Sequence, residues 1–386
     1  MTKNNYIYIL ISLSVIELTT VVNSFFMNLK GGTIDAERFQ ADAAEWVRHG
    51  SIEFVTNAEF FVQFLGIIFW VFGESEFIAT QFGIAASITA CVYFIKINKE
   101  LGVMTPNWAI LGFLLWPSYL LRQSTTMREP YLVMFVVFIA FFLVMYKKYG
   151  RPGDLLKLFV VLILSVLFHK ATAVLFIFAT LYVVFFVMKR KLPALKSRTF
   201  WLRLVIGAGG VGGVLIILLF FGDVRGLKPV VALLTADTQY IDRVLDYKTG
   251  RDFRTTYDVS IDVSSLPALI LSIPKVFIYY MSYPFPWKVS TPLDVLASVE
   301  GLFRFGALII IFKYSLWRAR IPAAAKPMFI LGIVFCMIWA AGTSNYGTAS
   351  RHHVTTNWIF ISAYLMYFAY IKNIRGFGRV PVAIGS

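Results

Sequence analysis

Apolar runs of about twenty residues, parted by short loops that collect lysine and arginine, alternate along most of the chain. A helix of that length crosses a hydrocarbon core of about 30 Å. Loops rich in Lys and Arg are held on the cytoplasmic side. The basic clusters are Lys96/Lys99, Lys147–Arg151, Lys189–Arg203, Arg318–Lys326 and Lys372–Arg379. Placing all of them inside, with the N-terminus, predicts spans near 6–27, 77–97, 105–121, 130–147, 155–168, 170–188, 201–221, 297–316, 327–343 and 354–372. The expectation is an all-α, polytopic bundle of about ten spans with both termini cytoplasmic. The run from Tyr6 to Met27 lacks a small-residue cleavage site, so it reads as a retained helix.

Two apolar stretches resist that threading. A crossing at 54–73 would invert every later loop, and 266–287 is broken by Pro267, Pro274, Pro284 and Pro286. Both are expected to lie at the outer interface as amphipathic or re-entrant segments rich in aromatic residues. His169–Lys170 divides the run from Leu155 to Met188 into two helices meeting at an outer turn. The chain thus falls into an N-terminal membrane module (1–221, with a first outer loop at 28–76), an outer loop with an interfacial segment (222–296), and C-terminal membrane helices (297–386).

Composition agrees. Of the 386 residues, 58% are hydrophobic and 15% charged, against roughly 45–50% and 25% in soluble domains. The net charge of +15 lies mainly in the short loops, which points to anionic lipid and the positive-inside bias and away from nucleic acid. Cys91 and Cys336 both sit in apolar runs, with neither a disulfide framework nor metal-ligand spacing.

The same threading brings four groups of ionisable residues to the outer face. The first loop carries Asp35, Glu37, Arg38, Asp42 and Glu45; the loop after the third span carries Arg122, Arg128 and Glu129. His169–Lys170 follows, and the turn before the last span contains Asn345, Tyr346, Arg351, His352 and His353. Charge at a bilayer edge is unfavourable unless paired or functional. Each group also has a plainer explanation. Ala36, Phe39, Ala43 and Val47 stand at helical spacing, as in an interfacial helix with a solvated face. Glu129 before Pro130 suits a helix start, Lys170 suits snorkelling, and Arg351 suits a topological anchor. Adjacent histidines do not share a helix face, so they are weak metal evidence. Phosphate-binding glycine loops and dinucleotide fingerprints are absent.

In order, these features resemble the GT-C superfamily of polyprenyl-phosphate-dependent membrane glycosyltransferases, over roughly Tyr6 to Met188. The likeness rests on Asp35-Ala36-Glu37-Arg38-Phe39-Gln40 in the first outer loop and on Trp70 to Phe77. It continues through Pro117-Ser118 to Arg128-Glu129, and to Lys170 at the end of a short helix. Tyr283 to Trp287 with Glu300, and Asn345 to His353, resemble bacterial surface-glycan members, including O-antigen and exopolysaccharide polymerases. The chain departs from the family-39 pattern where Ala36 separates Asp35 from Glu37 and where Phe39-Gln40 replaces an aromatic-His pair.

The resemblance implies a bacterial inner-membrane enzyme that moves a sugar from a polyprenyl-phosphate donor, among membrane lipids, during surface-polysaccharide synthesis. Sugar transfer needs a base for the acceptor hydroxyl and cations for the departing phosphate. Asp35 is expected as base, with Glu37 or Glu129 orienting the acceptor or holding an optional Mg or Mn ion. Arg351, with Lys170, Arg128, Arg122 and His352, is expected to hold phosphate. Trp46, Tyr283, Trp287 and Tyr346 are candidates for sugar stacking. A polymerase or ligase moving a lipid-linked oligosaccharide uses the same carrier. A lipid-glycan transporter instead predicts mid-span acids and repeated halves; Glu17 and Glu300 are the mid-span acids, and no repeat is visible.

Overall fold

The computed structural model describes residues 2–26, 33–49, 58–189, 255–257, 259, 262, 266–318, 320–343 and 345–374. Among these the protein is all-helical, with one isolated antiparallel bridge between Thr256 and Asn345. The helices are α1 (Lys3–Phe25), α2 (Thr33–His49), α3 (Ala58–Phe72), α4 (Glu76–Glu100), α5 (Asn107–Leu114), α6 (Pro117–Gln123), α7 (Glu129–Tyr149), α8 (Pro152–Phe168) and α9 (Ala173–Lys189). Later in the chain come α10 (Leu266–Ser282), α11 (Pro292–Ile310), α12 (Lys326–Gly342), α13 (Tyr346–His353) and α14 (Asn357–Ile374).

Five described segments are long and apolar enough to cross a membrane: Lys3–Phe25, Glu76–Glu100, Glu129–Tyr149, Pro292–Trp317 and Ala323–Ala340. A sixth arises if Tyr346–His353 and Asn357–Lys372, bent by 63°, form one broken span. The protein therefore has the build of a multi-pass helical membrane protein. The span expected at 201–221 and nearly all of the loop at 222–265 lie outside the described residues.

One expected span takes a different form. Residues 105–121 are two short helices, α5 and α6, broken at Leu115–Trp116. Pro117 supplies no N–H to continue the first helix, and it restricts the residue before it while starting the next helix well. Gln123 folds back, its Nε2 donating to the Leu114 carbonyl that the break leaves without an intrahelical partner.

Local chemistry explains the other boundaries. Ser75 caps α4 by accepting from the Ile78 N–H at 3.3 Å, and Gly150 closes α7 at φ 69°, where a side chain would be strained. At His169 the backbone turns extended, and a short 3-10 turn, Lys170–Thr172, separates α8 from α9.

Helix α7 is the central strut, buried on most of its surface by Leu132, Val133, Val136, Val137, Ile139, Ala140, Leu143 and Val144. Its 21 residues rise about 31 Å. At its far end Lys148 Nζ pairs with Glu100 at 3.0 Å, and Tyr149 donates to the same carboxylate at 2.7 Å. Glu129 stands at its near end. An aromatic cluster holds α2, α3 and α8 over that end: Phe39 meets Phe61 edge-on at 5.2 Å, Phe64 meets Tyr131 at 5.3 Å, and Tyr131 meets Phe168 at 5.5 Å. Such pairs contribute about 0.5–1.5 kcal/mol each beyond area burial. The cluster fixes the azimuth of α2, with Ala36, Phe39, Ala43 and Ala44 turned inward.

Candidate functional site

The four separate groups of ionisable residues meet at the near end of α7. Arg351, in the last turn of α13, donates through Nε to Glu129 and through Nη1 to Asp35. One guanidinium thus joins carboxylates from the first turns of α2 and α7. Glu129 is 4% exposed, Arg351 14% and Asp35 50%. Asp35 lies one helical turn before Phe39, so the packing of Phe39 places its carboxylate beside Arg351.

Arg122 and Arg128 stand within electrostatic reach of Glu129, Asp35 and Arg351. The Arg128 guanidinium also sits 5.7 Å from the Phe39 ring centroid. Burial pulls Arg128 down to about 10, with the negative charge of Glu129 opposing that shift; it remains cationic at neutral pH. Three guanidinium groups against two carboxylates leave one uncompensated positive charge. Nη2 of Arg351, Nε of Arg122, Nε of Arg128 and Oε2 of Glu129 are all buried without a hydrogen-bond partner among the described residues. Buried polar atoms are normally satisfied, so the cluster has donors to spare for an anion.

The histidines form the next wall. His352 stacks on Trp339 with centroids 3.6 Å apart and rings 9° from parallel, while His169 meets the same indole edge-on at 5.1 Å. The Ala171 N–H donates to His169 Nδ1 at 3.1 Å, which assigns the proton of the neutral ring to Nε2. Burial, then the field of Arg128, pushes His169 well below the usual histidine range. It is a neutral donor beside an arginine cluster.

No family model matches the chain, and no curated protein matches it. The chemistry of the cluster must be read from its own geometry.

The remaining candidates divide. Glu37 is exposed and faces Glu76, not Arg351. Neighbouring Gln40 donates to Thr126 Oγ1 at 2.7 Å, tying α2 to the turn before α7. Lys170 opens the 3-10 turn beside the site, and its side chain lies outside the described set. The Tyr346 ring is buried, and its hydroxyl donates to Asp294 Oδ1 at 2.7 Å, pinning α13 to α11. Tyr283 is likewise buried, against Tyr346 and Phe285. Half-buried Trp46 packs over Gly66, leaving Trp287 as the exposed member of the stacking set, with its ring parallel to Phe285.

His353 turns away from the arginines, its Nε2 bonded to the Tyr280 carbonyl oxygen at 2.8 Å. Of the two mid-span acids, Glu300 pairs with buried Arg304 at 3.5 Å and accepts from the Ser118 N–H at 3.0 Å; Glu17 accepts from Gln81 at 3.0 Å. Arg304 Nε also donates to the Met281 carbonyl at 3.1 Å. These bonds, with the Asn345 cap on Thr348 N–H at 2.7 Å, set the position of α13 and hence of Arg351.

Among the described residues no three His, Cys, Asp or Glu side chains gather as a metal site. Asp35 and Glu129 already share one guanidinium with two more arginines alongside. That surrounding field does not fit the optional Mg or Mn ion, and no step is assigned to one.

One contributor was hidden in the sequence: Trp339 is one apolar residue in an apolar helix, and nothing local marks it. His169 stood among the ionisable residues expected at the outer face, without a role in the site.

Proposed function

We propose that the protein is an integral membrane glycosyltransferase that takes its sugar from a polyprenyl-phosphate-linked donor at the outer face of the membrane. One observation carries the reading: Arg351 is held between Asp35 and Glu129, with Arg122 and Arg128 beside it, at one end of a span-length apolar helix. A phosphate headgroup on a long apolar chain needs such a combination. Guanidinium groups offer bidentate donors to phosphate oxygens, and the prenyl chain lies along apolar helices.

In this reading Arg351, Arg128 and Arg122 bind the donor phosphate and stabilise the charge that grows on it as the sugar departs. His169 adds a neutral N–H at the edge of the cluster. Asp35, the half-exposed carboxylate, accepts the proton of the acceptor hydroxyl. Glu129 is buried beneath Arg351 and acts through it, as a positioning residue.

The separation of the two ends supports the placement. Lys148 and Tyr149 meet Glu100 at the opposite end of α7 from Glu129. The positive-inside bias puts the Lys147–Arg151 loop in the cytoplasm, which leaves the arginine–carboxylate cluster outside.

Mass spectrometry of lipids copurifying with the protein tests the donor class. A polyprenyl phosphate bearing a sugar is expected, and its loss from Arg351→Ala identifies the clamp. Retention by Arg351→Ala of as much lipid as wild type refutes that role.

A further inference from the structure

Arg351 gives its two carboxylate partners unequal environments. Glu129 is 4% exposed and Asp35 is 50% exposed, although both bond the same guanidinium. Glu129 cannot leave without stranding buried charge, a heavy penalty. Asp35 can swing into water at little cost, because water screens a half-exposed pair. Nη2 of Arg351 is buried and has no partner among the described residues. An arriving anion therefore finds one nitrogen with spare capacity and one held by a replaceable carboxylate.

The Asp35 oxygen that accepts from Arg351 also has a lone pair engaged and its position fixed by that bond. Asp35 cannot serve Arg351 and deprotonate an acceptor equally well at the same moment.

We propose that the donor phosphate and Asp35 compete for Nη1 of Arg351, so that donor binding releases Asp35 as the base while Glu129 keeps the guanidinium in place. The proposal rests on the glycosyltransferase reading and adds an order to it: donor first, then deprotonation of the acceptor. In the step that follows, the acceptor hydroxyl oxygen attacks the anomeric carbon. The bond from that carbon to the phosphate oxygen breaks, its electron pair staying with the phosphate. The hydroxyl proton passes to freed Asp35, and the products are the glycoside and polyprenyl phosphate. When polyprenyl phosphate leaves, Arg351 recaptures the carboxylate, which returns the proton to solvent.

The two carboxylates then have opposite effects on lipid binding. Removing Asp35 removes a competitor, and removing Glu129 loosens the clamp. The test measures binding of radiolabelled polyprenyl monophosphate to detergent-solubilised protein. Asp35→Asn and Asp35→Ser are expected to bind about fivefold tighter than wild type, the loss of a partly exposed ion pair, while transferring no sugar. Glu129→Gln is expected to bind at least about tenfold more weakly. Asp35 is half exposed, so both of its variants should keep a wild-type gel-filtration profile, and they decide the matter even where Glu129→Gln does not fold. If wild type binds the lipid and both Asp35 variants bind it equally or more weakly, the competition is refuted and the donor class survives. If neither wild type nor the Asp35 variants bind it, the donor class itself is refuted.

Discussion

The unequal burial of the two carboxylates predicts unequal coupling to Arg351, and a pair of double-mutant cycles measures it. The perturbation is Arg351→Met, which keeps length and apolar stem but deletes the charge, combined with Glu129→Gln in one cycle and Asp35→Asn in the other. A hydrogen bond between charged groups contributes about 1.5–3 kcal/mol where water is excluded. Glu129, at 4% exposure, belongs to that regime. Arg122 and Arg128 also face it, so deleting Arg351 does not leave its charge bare, and the coupling should settle at about 2 kcal/mol. Asp35 is half exposed, where ion pairs contribute about 0.2–1 kcal/mol; its coupling should be about 0.5 kcal/mol. The assay is unfolding in mixed micelles titrated with dodecyl sulfate, followed by tryptophan fluorescence, on all four proteins of each cycle. Coupling to Asp35 as large as that to Glu129 refutes the division into a fixed anchor and an exchangeable partner.

Further outcomes are expected elsewhere. Asp35→Asn should insert and purify normally while abolishing glycan transfer, and full activity in that variant removes Asp35 as base. An assay with excess donor that resolves product length should show one added sugar; a ladder identifies a polymerase on the same site. Cysteine at Glu74 should react with an impermeant maleimide in intact cells and cysteine at Lys147 should not; the reverse pattern overturns the threading. His169 binds fewer protons folded than unfolded, because burial lowers it. Its contribution to stability is therefore complete above about pH 6.5 and lost as pH falls below that. His169→Gln should flatten the decline in melting temperature between pH 7 and pH 5, and an unchanged slope refutes the assignment. Gly301→Ala should destabilise by about 1–3 kcal/mol, since a Cβ there would lie 2.6 Å from the Ser282 carbonyl oxygen; a melting temperature equal to wild type refutes that packing.

The sequence by itself determined the solvent. Runs of Leu, Ile, Val and Phe near twenty residues call for lipid, and basic loops between them carry the expected orientation, because hydropathy and the positive-inside bias act on local composition. Breaks were partly legible: His169–Lys170 ends α8 where expected. The break inside 105–121 was missed because hydropathy outweighed Pro117, although the backbone rule for proline was there to be read. The candidate site was legible as a set of residue types at one end of the helices.

Partnership was not legible. Arg351 lies 222 residues from Glu129 and 316 from Asp35, and no local pattern encodes a contact across that distance. Helix azimuth decided it. The Phe39–Phe61 contact turned Asp35 toward Arg351, and the Tyr346–Asp294 bond committed the Tyr346 hydroxyl to α11. Whether a carboxylate is an anchor or an exchangeable base depends on its burial, and burial exists only once the helices are packed.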